Sequence, residues 1–144
     1  MRKVILFTGL IPLFTAIMFF AACGSGSDTG APGKALATAS AGNGLTAVLS
    51  SPEGSLKKGQ QEFTLAFTDA SGKPVDVGAV AFNNHMAAMG SMGAMNNAAT
   101  LKTTGTPGVY SGKVDIEMAG EWQAQITYEG PAGKGSFTLP INAK

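Results

Sequence analysis

Glu62-Phe63-Thr64-Leu65-Ala66-Phe67-Thr68 alternates large apolar residues with small or polar ones, so Phe63, Leu65 and Phe67 fall on one face of an extended chain. The same period of two recurs downstream. Trp122, Ala124, Ile126 and Tyr128 alternate with Gln123, Gln125, Thr127 and Glu129. Val114, Ile116 and Met118 oppose Lys113, Asp115 and Glu117 within the stretch from Tyr110 to Met118. Gly133 to Ile141 places Phe137, Leu139 and Ile141 on one side, and Leu45 to Leu49 alternates upstream. Asp69-Ala-Ser-Gly72-Lys73-Pro74 is a turn cluster. Val75 to Phe82 reads as a strand whose phase slips at Gly78-Ala79, predicting a bulge there. Ala99 to Thr103 reads as a short strand. No amphipathic helix pattern competes. About seven short strands separated by turns predict an all-β fold, an immunoglobulin-like β-sandwich, over residues 45–144.

The N-terminus is of a different kind. Arg2 and Lys3 precede an almost wholly apolar run from Val4 to Phe20, and the run ends in Ala21-Ala22-Cys23-Gly24. A basic start, an apolar segment and small residues before a cleavage point mark a secretory signal. A cysteine directly after them resembles the bacterial lipoprotein lipobox, with Phe20 where Leu is usual. That resemblance implies a signal peptide over 1–22, cleavage before Cys23 and lipidation of its sulfur. The anchor is then the membrane. Gly24, where Asp would resemble an inner-membrane retention signal, points to the outer membrane and a domain facing the periplasm. Residues 23–44 are rich in Gly, Ala, Ser and Thr and read as a lipidated cysteine followed by a flexible tether.

Cys23 is the only cysteine, so no intramolecular disulfide can form. Without residues 1–22, which carry Arg2 and Lys3, eight basic residues face nine acidic ones and the formal charge changes from +1 to −1. No basic stripe exists to attract a nucleic acid.

Chemistry concentrates in His85-Met86-Ala87-Ala88-Met89-Gly90-Ser91-Met92-Gly93-Ala94-Met95, where four of seven methionines recur every third residue beside the only histidine. Thioether sulfur is soft and needs no deprotonation, so it suits Cu(I) or Ag(I), and imidazole suits copper too. Spacing of three puts side chains on one side of a 3₁₀ turn. Gly90 and Gly93 disfavour a long helix, so a mobile loop is expected. His85, Met86, Met89, Met92 and Met95 are the candidate ligands. Met118 joins them if its strand ends beside the loop, or packs in the core if it follows Val114 and Ile116. Trp122 reads as a core anchor. Asn83, Asn84, Asn96 and Asn97 flank the loop and read as turn residues. The same Met, Ala and Gly composition would also make an adaptable apolar surface for a partner protein. Catalysis is not expected: no nucleophile elbow, no phosphate loop and no zinc or Ca²⁺ spacing occurs.

Four stretches together resemble one family. They are Asp69-Ala-Ser-Gly-Lys-Pro-Val75, His85-Met86-x-x-Met89-Gly90, Pro107-Gly-Val-Tyr110 and Met118-Ala-Gly-Glu-Trp122. Residues 45–142 are similar to the YtkA-like domains, which are related to FixH and to extracytoplasmic domains linked with copper handling. The resemblance implies a small β-sandwich, copper(I) as cargo, and a partner in envelope metal handling or oxidase assembly. Ser91 stands where such domains often have His, and Ala87-Ala88 replaces a Pro-containing segment. A single imidazole points to a methionine-rich Cu(I) site rather than a Cu(II) site of several imidazoles.

Cys23→Ala is expected to leave an uncleaved precursor or to release the domain from the membrane. Cell fractionation with gel mobility checks this; wild-type behaviour of the variant would remove the lipoprotein reading.

Overall fold

The structure, a computed structural model, describes residues 32–144. Nine strands follow in order: β1 (Lys34–Gly42), β2 (Leu45–Ser51), β3 (Gly59–Thr68), β4 (Ala79–Met86), β5 (Met95–Ala98), β6 (Thr100–Thr103), β7 (Val109–Ile116), β8 (Gly120–Gly130) and β9 (Gly133–Ala143). They form a five-stranded sheet, β1-β2-β3-β7-β6, and a four-stranded sheet, β5-β4-β8-β9. All pairings within both sheets are antiparallel. The fold is an all-β sandwich.

The alternation around Phe63, Leu65 and Phe67 puts all three in the core. The Phe67 ring meets Tyr110 edge-on within its own sheet, at a centroid distance of 6.0 Å. It reaches across to Tyr128 at 5.4 Å and Phe137 at 6.0 Å in the other sheet. Phe63 does the same with Phe82 at 4.6 Å. Phe63 also covers Gly112, its register partner on β7, where a Cβ would overlap the ring. Trp122, Ala124, Ile126 and Tyr128 are buried from β8, while Gln123, Gln125, Thr127 and Glu129 are exposed. Val114 and Ile116 face inward from β7 as their parity predicts.

Two expectations are corrected. The tether expected over 23–44 ends earlier: Lys34–Gly42 is a strand paired with β2 and packed on β9. Ala37, Ala39 and Ala41 alternate with Thr38 and Ser40, and small side chains suffice at this sheet edge. Only the part from residue 32 on is described; Cys23 and the signal segment lie outside the described residues. The strand expected from Val75 begins instead at Ala79, without a bulge. Gly78 holds a positive φ of 76°, its N–H donates to Asp76 Oδ1 at 2.9 Å, and a Cβ there would strike the Glu129 carbonyl. The short strand expected at 99–103 is present as β6, and it continues a longer run that changes sheets at Ala99, with β5 in the other layer. These elements raise the strand number from the expected seven or so to nine.

The turn cluster after β3 closes on Asp69. Its carboxylate accepts from Ser71 Oγ at 2.6 Å, Ser71 N at 2.8 Å and Lys73 N at 3.1 Å. The Ser71 hydroxyl, then the Lys73 and Ser71 amides, hold this carboxyl below its usual value. A depressed folded-state value contributes stability above the unfolded carboxyl's value and loses it as pH falls through the folded one.

Trp122→Ala is expected to cost about 3–5 kcal/mol, the scale for emptying an aromatic core position. Urea denaturation followed by far-ultraviolet circular dichroism measures it. Deleting Lys34–Gly42 is expected to destabilise the domain as well, whereas deleting a true tether would leave the midpoint unchanged.

Candidate functional site

The four methionines of the 85–95 stretch occupy a β-hairpin, and its register explains their spacing. On the paired strands His85 faces Asn96 and Met86 faces Met95. The same register continues past the strand ends, where Met89 pairs with Met92. The segment Met86-x-x-Met89-Gly90-Ser91-Met92-x-x-Met95 is therefore a palindrome folded about Gly90-Ser91, each methionine opposite another. Gly90 supplies the positive φ of 56° that a two-residue hairpin turn requires at its first central position. A 3₁₀ arrangement or an irregular loop is not what forms. Met89 N donates to Met92 O at 3.1 Å and Met92 N to Met89 O at 2.9 Å. A pair that exchanges both bonds carries its two side chains on the same face.

The palindrome splits the methionines into two rungs with different environments. Met86 is buried, 2 % exposed, and points into the sandwich; Met95 is half-buried beside it. Met118 lies in the turn between β7 and β8 and packs on the core. Its carbonyl accepts from Trp122 Nε1 at 3.0 Å. Two residues further on, Gly120 leaves room for the Met86 methyl, which a Cβ there would approach to 3.1 Å. Met86, Met95 and Met118 thus gather at one end of the core. Met89 and Met92 stand outside it, 53 % and 43 % exposed, and are the only large apolar side chains so exposed among the described residues.

His85 belongs with the outer rung. It alternates with buried Met86 and is only half-buried itself. A groove of about 460 Å³ opens beside it, lined by His85, Ala87 and Met89 on one side and by Trp122, Pro140 and Ile141 on the other. His85, Met89 and Met92 offer one imidazole and two thioethers at a surface. Among the described residues, no three His, Cys, Asp or Glu side chains cluster where a metal could be held. The donor set fits a soft monovalent cation and offers little to a hard one.

The four asparagines were expected in turns and are instead strand residues. Asn83 and Asn96 face outward. Asn97 donates from Nδ2 to the Asp115 carbonyl at 2.8 Å. Asn84 is fully buried, and neither side-chain polar atom is hydrogen-bonded among the described residues. The sequence signal for all of this was Gly90-Ser91 between two mirror-image halves.

The motif stretches divide in the same way. Asp69 closes a turn, Tyr110 donates from its hydroxyl to the Gly78 carbonyl at 2.8 Å, and Trp122 holds the Met118 carbonyl. Burial pushes the Tyr110 phenol up, with Asp76 adding to it, so the group stays a donor. Those three stretches are structural. Only His85–Gly90 presents chemistry to the outside. No curated protein matches the chain. The sequence model of one family, described as YtkA-like, matches residues 39–127, from β1 into β8. The chain belongs to the YtkA-like family.

Proposed function

We propose that this is a non-catalytic, extracytoplasmic binder of Cu(I) or Ag(I), a metal chaperone or buffer held to the membrane through Cys23. The observation that carries the reading is the Met89–Met92 pair. Two thioethers are set on one face of a tight turn, in water, at the tip of the hairpin that carries the chain's only imidazole, and Met89 shares a groove with it. Exposing methionine costs burial that a core position would recover, and soft-metal coordination gives that exposure a use. His85, Met89 and Met92 are the proposed ligands. Met86, Met95 and Met118 support the hairpin from inside. Two neutral thioethers and one imidazole leave Zn²⁺ without the thiolates or several imidazoles it holds best, and Mg²⁺ without oxygen ligands. An exposed, low-charge site also suits transfer, because a partner can reach the metal.

A second reading has its own observation. The groove beside the tip is lined by Leu36, Trp122, Pro140 and Ile141, and the tip itself is apolar. A non-metal interaction module of the envelope would use the same surface to contact a partner protein.

Met89→Leu with Met92→Leu deletes both exposed sulfurs while keeping size and apolarity. Silver affinity is expected to fall by about tenfold or more, which is about 1.4 kcal/mol. Stability should stay within about 0.5 kcal/mol, as for exposed substitutions generally. Met86→Leu should leave silver binding unchanged and cost less than about 1.5 kcal/mol. Isothermal titration and thermal melts separate these outcomes. Wild-type protein that binds neither Ag(I) nor Cu(I) at micromolar concentration would leave the interaction module as the function.

A further inference from the structure

The outer face of the four-stranded sheet carries a line of side-chain amides ending at His85. His85 Nδ1 lies 2.9 Å from Asn96 Oδ1. Asn83 Nδ2 lies 3.4 Å from that same oxygen and donates to Gln125 Oε1 at 3.2 Å. We propose that Asn96, backed by Asn83 and Gln125, is a positioning residue that holds His85 as its Nδ1–H tautomer and so reserves Nε2 for the metal. The inference rests on the soft-metal reading above.

An amide oxygen only accepts, so a neutral imidazole facing Asn96 Oδ1 must carry its proton on Nδ1. The lone pair is then on Nε2. The direction of the Asn96 amide is what decides the tautomer, and Asn96 is not independent. Reversing it would set its amino group against the amino group of Asn83. Relieving that clash requires Asn83 to reverse, which in turn sets its oxygen against the Gln125 oxygen. The three amides keep one direction or change together.

Backbone pairing holds them in reach. His85 is opposite Asn96 on β5 and Gln123 on β8, and Asn83 is opposite Ala98 and Gln125. Asn83, His85, Asn96 and Gln125 therefore all lie on the outer face by alternation, with the buried Asn84 and Met86 on the other. Metal-bound imidazoles characteristically give their second N–H to an oxygen, which fixes the ring and the coordinating nitrogen. Here that oxygen belongs to a neutral amide. The ring gains orientation without the added basicity that a carboxylate partner would confer, in keeping with a site for a monovalent soft ion.

The test uses the full chain in detergent with ¹⁵N-labelled histidine, whose single ring gives one set of signals. Without metal, the wild-type ring is expected to show a protonated Nδ1 and a lone pair on Nε2. Added Ag(I) should shift Nε2. Asn96→Leu is expected to move the proton to Nε2 and weaken silver binding about tenfold, the lower end for lost outer-shell partners. Asn96→Asp keeps an acceptor oxygen and should retain the wild-type tautomer. Asn83→Leu, which removes the backing amide and not the acceptor, should give a mixture of tautomers. A wild-type ring protonated on Nε2, or an Asn96→Leu ring unchanged from wild type, overturns the proposal. Failure of the wild type to bind Ag(I) would overturn the functional reading, and the metal-free spectra would still decide the role of Asn96.

Discussion

Phe67 and Phe63, projecting from the centre of one sheet into the aromatic rings of the other, fix which face of every neighbouring strand is the inside. Phe82 stacks near Phe63, and its position on β4 commits Asn84 and Met86 inward and Asn83 and His85 outward. A one-residue slip of β4 would bury His85 and expose Phe82, which the packing forbids. The hairpin then inherits its register from β4. Once Met86 faces Met95, the two-residue turn at Gly90-Ser91 leaves Met89 only Met92 as its partner. The surface presentation of two sulfurs is thus a remote consequence of aromatic packing between the sheets.

Large side chains made much of this legible in advance. The strands around Phe63, Val114, Trp122 and Leu139 announce themselves because bulky residues mark every second position. β1 has only Leu36. Its other inward positions are alanines, so its period of two carries little hydrophobic signal and resembles a linker in composition. Pairing with β2 and contact with β9 decide it, and both are long-range. In the hairpin the three-residue spacing invites a helical reading, because periodicity is counted along one strand. The relevant symmetry runs across two. Gly-Ser as a turn was the available clue. Which methionines are inside depends on the parity of β4, and that depends on Phe82.

Asn84 is where local and global preferences disagree. A buried amide whose polar atoms find no partner costs on the order of 1–3 kcal/mol, and it sits on the strand that carries His85 and Met86. Tyr110, Trp122 and Asp69 show the contrary pattern, each with its polar group satisfied by backbone. The unresolved tension lies beside the hairpin, and conflicts of this kind collect where a fold serves something besides stability.

The strands also give the molecule two unlike poles. β1 begins, and β4 and β9 end, at the same pole, because Lys34 is opposite Ser51, Gly59 is opposite Ile116, and Gly120 is opposite Ala143. The methionine hairpin projects from that pole, and Leu36 near the start of β1 shares its groove. Eight residues separate Cys23 from Pro32, nine steps that span about 30 Å at most. With the lipid on Cys23, the hairpin would hang on the bilayer side of the domain rather than at its far tip. Anchored so, the hairpin would meet proteins embedded in or lying on the same membrane by lateral diffusion in two dimensions.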